Sequence, residues 1–232
     1  MDYPTAKTRS LNVAFVVNAE HLRSLAEILG EDAQPLEYTV KFSDGTSVLY
    51  SAVEEIIGQP NSSKRSIVSL IAGPARHPGK SAYVNLKSTD YLSESVEYTI
   101  NGPQRDVVYL ADKLDDWVAG IRLWYSPVFV GDGMFLYFSS CALAFYAGFI
   151  VANRYHSYMS SEKAVFLFMA VTIATFIIEY FAFTRLFPRA TFAIGRGEQR
   201  HTFLTYCRNT VLVGLGLSVV GSVVANWISR RH

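Results

Sequence analysis

Few side chains in this sequence stand where they could do chemistry. Glu179 is the one acidic residue inside three long, otherwise uncharged stretches of the C-terminal half. A carboxylate in the middle of a hydrocarbon layer costs about 2.5 to 3.5 kcal/mol, so it calls for a partner. It reads either as a protonatable, pore-lining or inter-subunit group, or as an interfacial carboxylate reaching lipid headgroups. Arg185, Arg189, Arg196, Arg200 and Arg208 follow within one segment, interleaved with His201, Phe203 and Tyr206. Basic and aromatic residues in alternation predict an anion or lipid-headgroup site, a docking surface for the acidic N-terminal half, or a positive anchor with no ligand. Gly195-Arg196-Gly197 reads as a flexible basic turn and fits neither a dinucleotide nor a P-loop pattern. Gly214 with Ser218, and Gly221 with Ala225, repeat small residues four apart, the spacing that lets helix backbones approach.

Other chemistries are missing. The histidines have no second histidine or cysteine at ligand spacing, which predicts no metal site, and Cys141 and Cys207 are expected to stay reduced. A nucleophile elbow, paired catalytic carboxylates and a kinase signature are absent. The chain is therefore expected not to be an enzyme and to need no cofactor. Asn61-Ser62-Ser63 matches a glycosylation acceptor only formally.

The elements that must position these residues fall into two halves. Across 232 residues, 21 Lys+Arg nearly cancel 20 Asp+Glu, which excludes a basic nucleic-acid binder. Residues 1–125 nevertheless carry a balance of −4 and residues 126–232 one of +5. Asp132 and Arg154 bracket 21 uncharged residues, about 31 Å of helix against a hydrocarbon core of about 30 Å. Similar stretches predict an all-α transmembrane region of three helices, near 134–153, 164–184 and 209–229. The arginines between the second and third spans orient the N-terminal domain to the cytoplasm. The expected location is the plasma membrane, or a bacterial inner membrane, in multi-pass form.

Residues 1–125 read as an α+β domain with a mostly antiparallel sheet and helices on one face. Leu11 to Val17 suggests a buried strand, and Asn18 offers an N-cap for a helix that Gly30 ends. Leu36 to Phe42 alternates apolar and polar residues before the Asp44-Gly45 turn, a hairpin signal. Ile67 to Ala72, Ala82 to Lys87 and Ser95 to Ile100 supply three more strands. An amphipathic helix over 103–124 then places Val107, Leu110, Leu114, Trp117 and Ile121 on one stripe.

Together these features predict a cytoplasmic sensing or binding domain coupled to a small self-associating helical bundle. Its partners would be membrane lipids, a second copy of the chain, and a cytoplasmic ligand or protein, without nucleic acid. The alternative is a membrane-perturbing effector or small channel of the bacterial toxin or defence type, controlled by the soluble domain.

Overall fold

The computed structural model describes residues 4–30, 35–74, 81–88, 94–129, 134–155 and 161–229. Six strands build its main sheet: β1 (Pro4–Leu11), β3 (Leu36–Phe42), β4 (Ser47–Tyr50), β5 (Ile67–Pro74), β6 (Ser81–Lys87) and β7 (Val96–Pro103). Their order is β1-β7-β6-β5-β3-β4, with every neighbouring pair antiparallel. The alternation in β3 does what period-two patterning requires, burying Leu36, Tyr38, Val40 and Phe42. Val84 and Leu86 of β6, and Val96, Tyr98 and Ile100 of β7, complete that face.

Two helices cover it. In α1 (Ala19–Leu29) the Asn18 side chain accepts from the His21 amide at 2.8 Å, and the His21 ring accepts the Asn18 amide in return. Gly30 ends the helix in the left-handed conformation, φ 82°. The amphipathic helix α3 (Gln104–Ile121) buries Val107, Ala111, Leu114, Trp117, Val118 and Ile121. Its Trp117 indole donates to the His21 carbonyl of α1 at 2.9 Å, which ties the two helices together. Asp115 on the same helix accepts from the buried Tyr98 hydroxyl at 2.6 Å and pairs with Arg9. Burial, and then the carboxylate, push the Tyr98 phenol up to about 12.

The run Leu11 to Val17 does not form one strand. Its start closes β1, and a separate strand, β2 (Phe15–Asn18), begins four residues later. Ser95 causes the break: its hydroxyl donates to the Val13 carbonyl at 2.6 Å and accepts the Val13 amide at 3.0 Å. The chain thereby leaves the main sheet and enters the helical layer. There β2 pairs in parallel with β8 (Ala190–Ala193), a strand from the other end of the molecule. Phe15 and Phe192 meet edge to face with centroids 5.9 Å apart, and Phe192 and Ile194 join the main core.

Between α3 and β8 the chain makes an arm of two packed helices, α4 (Met134–Tyr155) and α5 (Ser161–Leu186). After β8 comes α6 (Arg196–Ser229). Gly148 sets the approach of α4 to α5, because a Cβ there would lie 2.3 Å from the Thr172 hydroxyl and 3.0 Å from the Phe168 carbonyl. The Phe145 and Phe168 rings pack 5.9 Å apart beside it.

These helices correct the sequence-based fold class and location. Among the described residues, no helix is long and apolar enough to cross a membrane. The expected three-helix transmembrane region and multi-pass placement in a plasma or bacterial inner membrane, with a cytoplasmic N-terminal domain, are overturned by that finding. Charged residues interrupt α5 and the first half of α6. In α5 the uncharged run lies between Lys163 and Glu179, about 22 Å of helix against about 30 Å of hydrocarbon. The first half of α6 carries Arg196, Glu198, Arg200, His201 and Arg208 and packs near β8. What the structure shows is an α+β fold with a mostly antiparallel sheet and six α-helices among the described residues.

Candidate functional site

The arm leaves and rejoins the sheet domain at one place, and backbone hydrogen bonds define it. Residues 12–15 run between two returning segments. On one side the Leu123 amide donates to the Ala14 carbonyl at 2.9 Å, and the Ala14 amide donates to the Ser126 hydroxyl at 3.0 Å. On the other the Phe15 amide donates to the Arg189 carbonyl at 2.8 Å. Tyr125 bridges them, donating its hydroxyl to the Pro188 carbonyl at 2.8 Å while its ring meets Phe187 edge-on at 5.2 Å and Trp124 at 5.5 Å. Both ends of the arm are therefore anchored to the first strand of the helical layer.

The five arginines singled out from the sequence divide at this junction. Arg189 is buried and donates to the Asn12 side chain. Arg208 is 4% exposed, with its guanidinium 4.9 Å from the Tyr125 ring centre and 6.0 Å from that of Trp124, within cation–π range. It also donates to the Thr205 hydroxyl at 3.3 Å. Arg200 faces a different part of the domain, donating to the Asn61 carbonyl at 2.8 Å. Arg185 and Arg196 are exposed. The contacts of Arg200 and Arg208 are thus to a carbonyl, a side-chain amide, a hydroxyl and rings rather than to the acidic residues that give the N-terminal half its charge.

The remaining sequence candidates do not gather here. Glu179 lies in α5, and its side chain is outside the described residues. Gly214 of α6 is exposed, with nothing within 4 Å of where a Cβ would stand, and Ser218 is exposed four residues on. The side chains at Gly221 and Ala225 also fall outside the described residues. Close helix contact made by small residues occurs instead in α4, at Ala144 and Gly148.

A residue that the sequence marks only as a formal glycosylation acceptor organises the other side of the junction. Asn61 follows the short helix α2 (Val53–Ile57), is 2% exposed, and has φ 40°. Its amide nitrogen donates to the carbonyls of Phe192 at 2.7 Å and Ile194 at 3.3 Å, and its oxygen accepts the Ile67 amide at 2.9 Å. One side chain therefore holds the end of β8 against the start of β5. Gly195 and Gly197 fit around it: a Cβ on Gly195 would lie 2.6 Å from the Gln59 carbonyl, and one on Gly197 2.3 Å from the Phe192 carbonyl. Gly195 also has φ 52°. The turn read as flexible is a close-packed backbone crossing. Pro60-Asn61 after Gly58 was the one available signal, since Asn tolerates the left-handed region.

His201 stands one turn before Thr205, and so on the stripe of α6 that carries Arg208. Burial, and then the positive charge of Arg208, push its imidazole below the ordinary value of 6.5. As pH falls through about 6.5 the unfolded chain takes up this proton before the folded one, so stability falls with pH in that range. The contribution is complete above about pH 6.5 and is lost as pH drops through the lower folded-state value. Urea midpoints at pH 7.5 and 5.5 check this: wild type is expected to lose more than His201→Gln, and parallel losses would refute the assignment.

Among the described residues no three His, Cys, Asp or Glu side chains come together as a metal site, and Cys141 and Cys207 are free. The arrangement offers a cationic and aromatic surface at a structural crossing, suited to holding an anion or transmitting a displacement. No protein-family model matches the chain, and no curated protein or solved structure is significantly similar to it.

Proposed function

We propose that this protein is a non-catalytic binding module in which a helical arm joins two copies of the chain and the sheet domain engages a ligand or protein. The observation that carries the reading is the outer surface of the arm. Phe166, Met169, Ile173 and Ile177 of α5 recur at spacings of 3 and 4 and are exposed, Phe166 by 71%. Phe145, Tyr146, Phe149 and Ile150 form the matching stripe on α4. With the other exposed apolar residues of α5 this amounts to on the order of 1,000 Å², more than a monomer ordinarily leaves uncovered and enough for one side of a stable interface.

A second copy is the occupant that fits. Two packed apolar helices are half of a four-helix bundle, and an isologous pairing supplies the other half without any new sequence. Binding at the sheet domain would reach the bundle through the junction at Tyr125, where both ends of the arm are fixed.

Sedimentation of the full chain in detergent-free buffer tests the reading. The expected particle has twice the chain mass of 25.9 kDa. Phe149→Glu with Phe166→Glu should weaken the dimer by about 100-fold or more, because each substitution occurs twice in the interface. A wild-type monomer, or a chain that enters solution only with vesicles or micelles, would defeat the proposal.

A further inference from the structure

An uncompensated buried cation is among the costliest arrangements a fold can hold, and α6 contains one. Arg208 is 4% exposed, its Nε is buried with no hydrogen-bond partner, and no carboxylate pairs with it among the described residues. Tyr125 supplies a ring face to the guanidinium and Thr205 a single acceptor. Neither carries a negative charge. His201 repeats the pattern on the same helical stripe, with its Nε2 buried and unpartnered and Arg208 as the charge acting on it. Residues 201, 205 and 208 stand four and three apart, so an imidazole, a hydroxyl and a guanidinium share one face of α6, with the guanidinium against the Tyr125 ring.

We infer that His201, Thr205 and Arg208 form a binding site for a phosphate-type oxyanion, seated where the arm rejoins the sheet domain. A tetrahedral oxyanion matches this set because each of its oxygens accepts several hydrogen bonds and its charge neutralises the buried guanidinium. The exposed indole of Trp124, 6.0 Å from the same guanidinium, offers an apolar flank for whatever carries the anion. Either a soluble phosphate ester or a phospholipid headgroup supplies that chemistry. The site stands on α6 and the junction and does not depend on dimerisation of the arm.

Titration of the full chain with inorganic phosphate, read by thermal midpoint and by NMR of the His201 ring, tests the inference. Saturable binding is expected, with the His201 titration moving upward as the anion arrives. Thr205→Val should weaken binding about fivefold through the lost hydroxyl, and Arg208→Gln by more than about 20-fold. Lys64→Gln, which removes an exposed charge elsewhere, should leave binding unchanged. Displacement of phosphate by phosphatidylglycerol vesicles assigns the site to a lipid headgroup, and indifference to them assigns it to a soluble ester; both outcomes support the site. The inference is overturned if phosphate shows no saturable effect, if Lys64→Gln weakens it as much as Arg208→Gln, or if Arg208→Gln melts higher than wild type while its phosphate response persists.

Discussion

Asn61→Ala is expected to destabilise the protein by about 4 kcal/mol, with loss of cooperative unfolding at the β5 and β8 ends before the rest of the sheet. The Phe192 carbonyl and the Ile67 amide lose their Asn61 partner at once, while the Ile194 carbonyl keeps the Gly197 amide at 2.8 Å. Each orphaned group costs about 1 to 3 kcal/mol in desolvation that nothing replaces. Alanine at φ 40° adds backbone strain of about 1 kcal/mol that asparagine tolerates better. Asn61→Gly separates these contributions, because it deletes the same side chain while accepting the backbone. Chemical denaturation of both variants should therefore place Ala below Gly, and both well below wild type. If either variant unfolded within about 1 kcal/mol of wild type, the clamp would have no energetic role.

Gly197→Ala should cost on the order of 3 kcal/mol, although alanine is the better helix former and the position lies at the start of α6. The added methyl would stand 2.3 Å from the Phe192 carbonyl and 2.4 Å from the Asn61 amide nitrogen. The first of these is backbone and the second is held by its own hydrogen bonds, so neither yields cheaply. Gly120→Ala in α3 is the matched control. Nothing lies within 4 Å of the Cβ it would add, and the exchange should stabilise by up to about 1 kcal/mol. Opposite signs for one chemical change in the two helices would show that backbone approach, not helix propensity, decides the effect at Gly197. Thermal melts of the pair suffice to check it.

What could be read from the sequence was what neighbouring residues decide between themselves. Asn18 and Gly30 bracket α1 because a cap needs only its own turn of helix, and the β3–β4 hairpin follows from alternation around Asp44-Gly45. β1 escaped notice because it is an edge strand whose side chains are largely exposed, so it carries no apolar period. β8 escaped because four residues acquire strand character only from a partner at the far end of the chain. Arg189 and Arg208 stood out as charges in an apolar context, whereas their burial depends on Asn12 and Tyr125, which no spacing rule connects to them. The long apolar stretches suggested a bilayer because apolar residues recur around α4 and α5, many of them exposed on the arm. A bundle core and a lipid environment impose the same composition.

The pairing of β2 with β8 also sets a schedule for making the protein. Phe15 leaves the ribosome about 175 residues before Ala190, its partner in the ladder. At about 5 to 20 residues per second that gap lasts roughly 9 to 35 s. Throughout it one edge of β2 and the Phe15 ring lack the cover that β8 and Phe192 later provide. The nascent chain thus waits with an open strand edge while its most apolar helices are still being synthesised, a combination that exposes it to mispairing with neighbouring nascent chains.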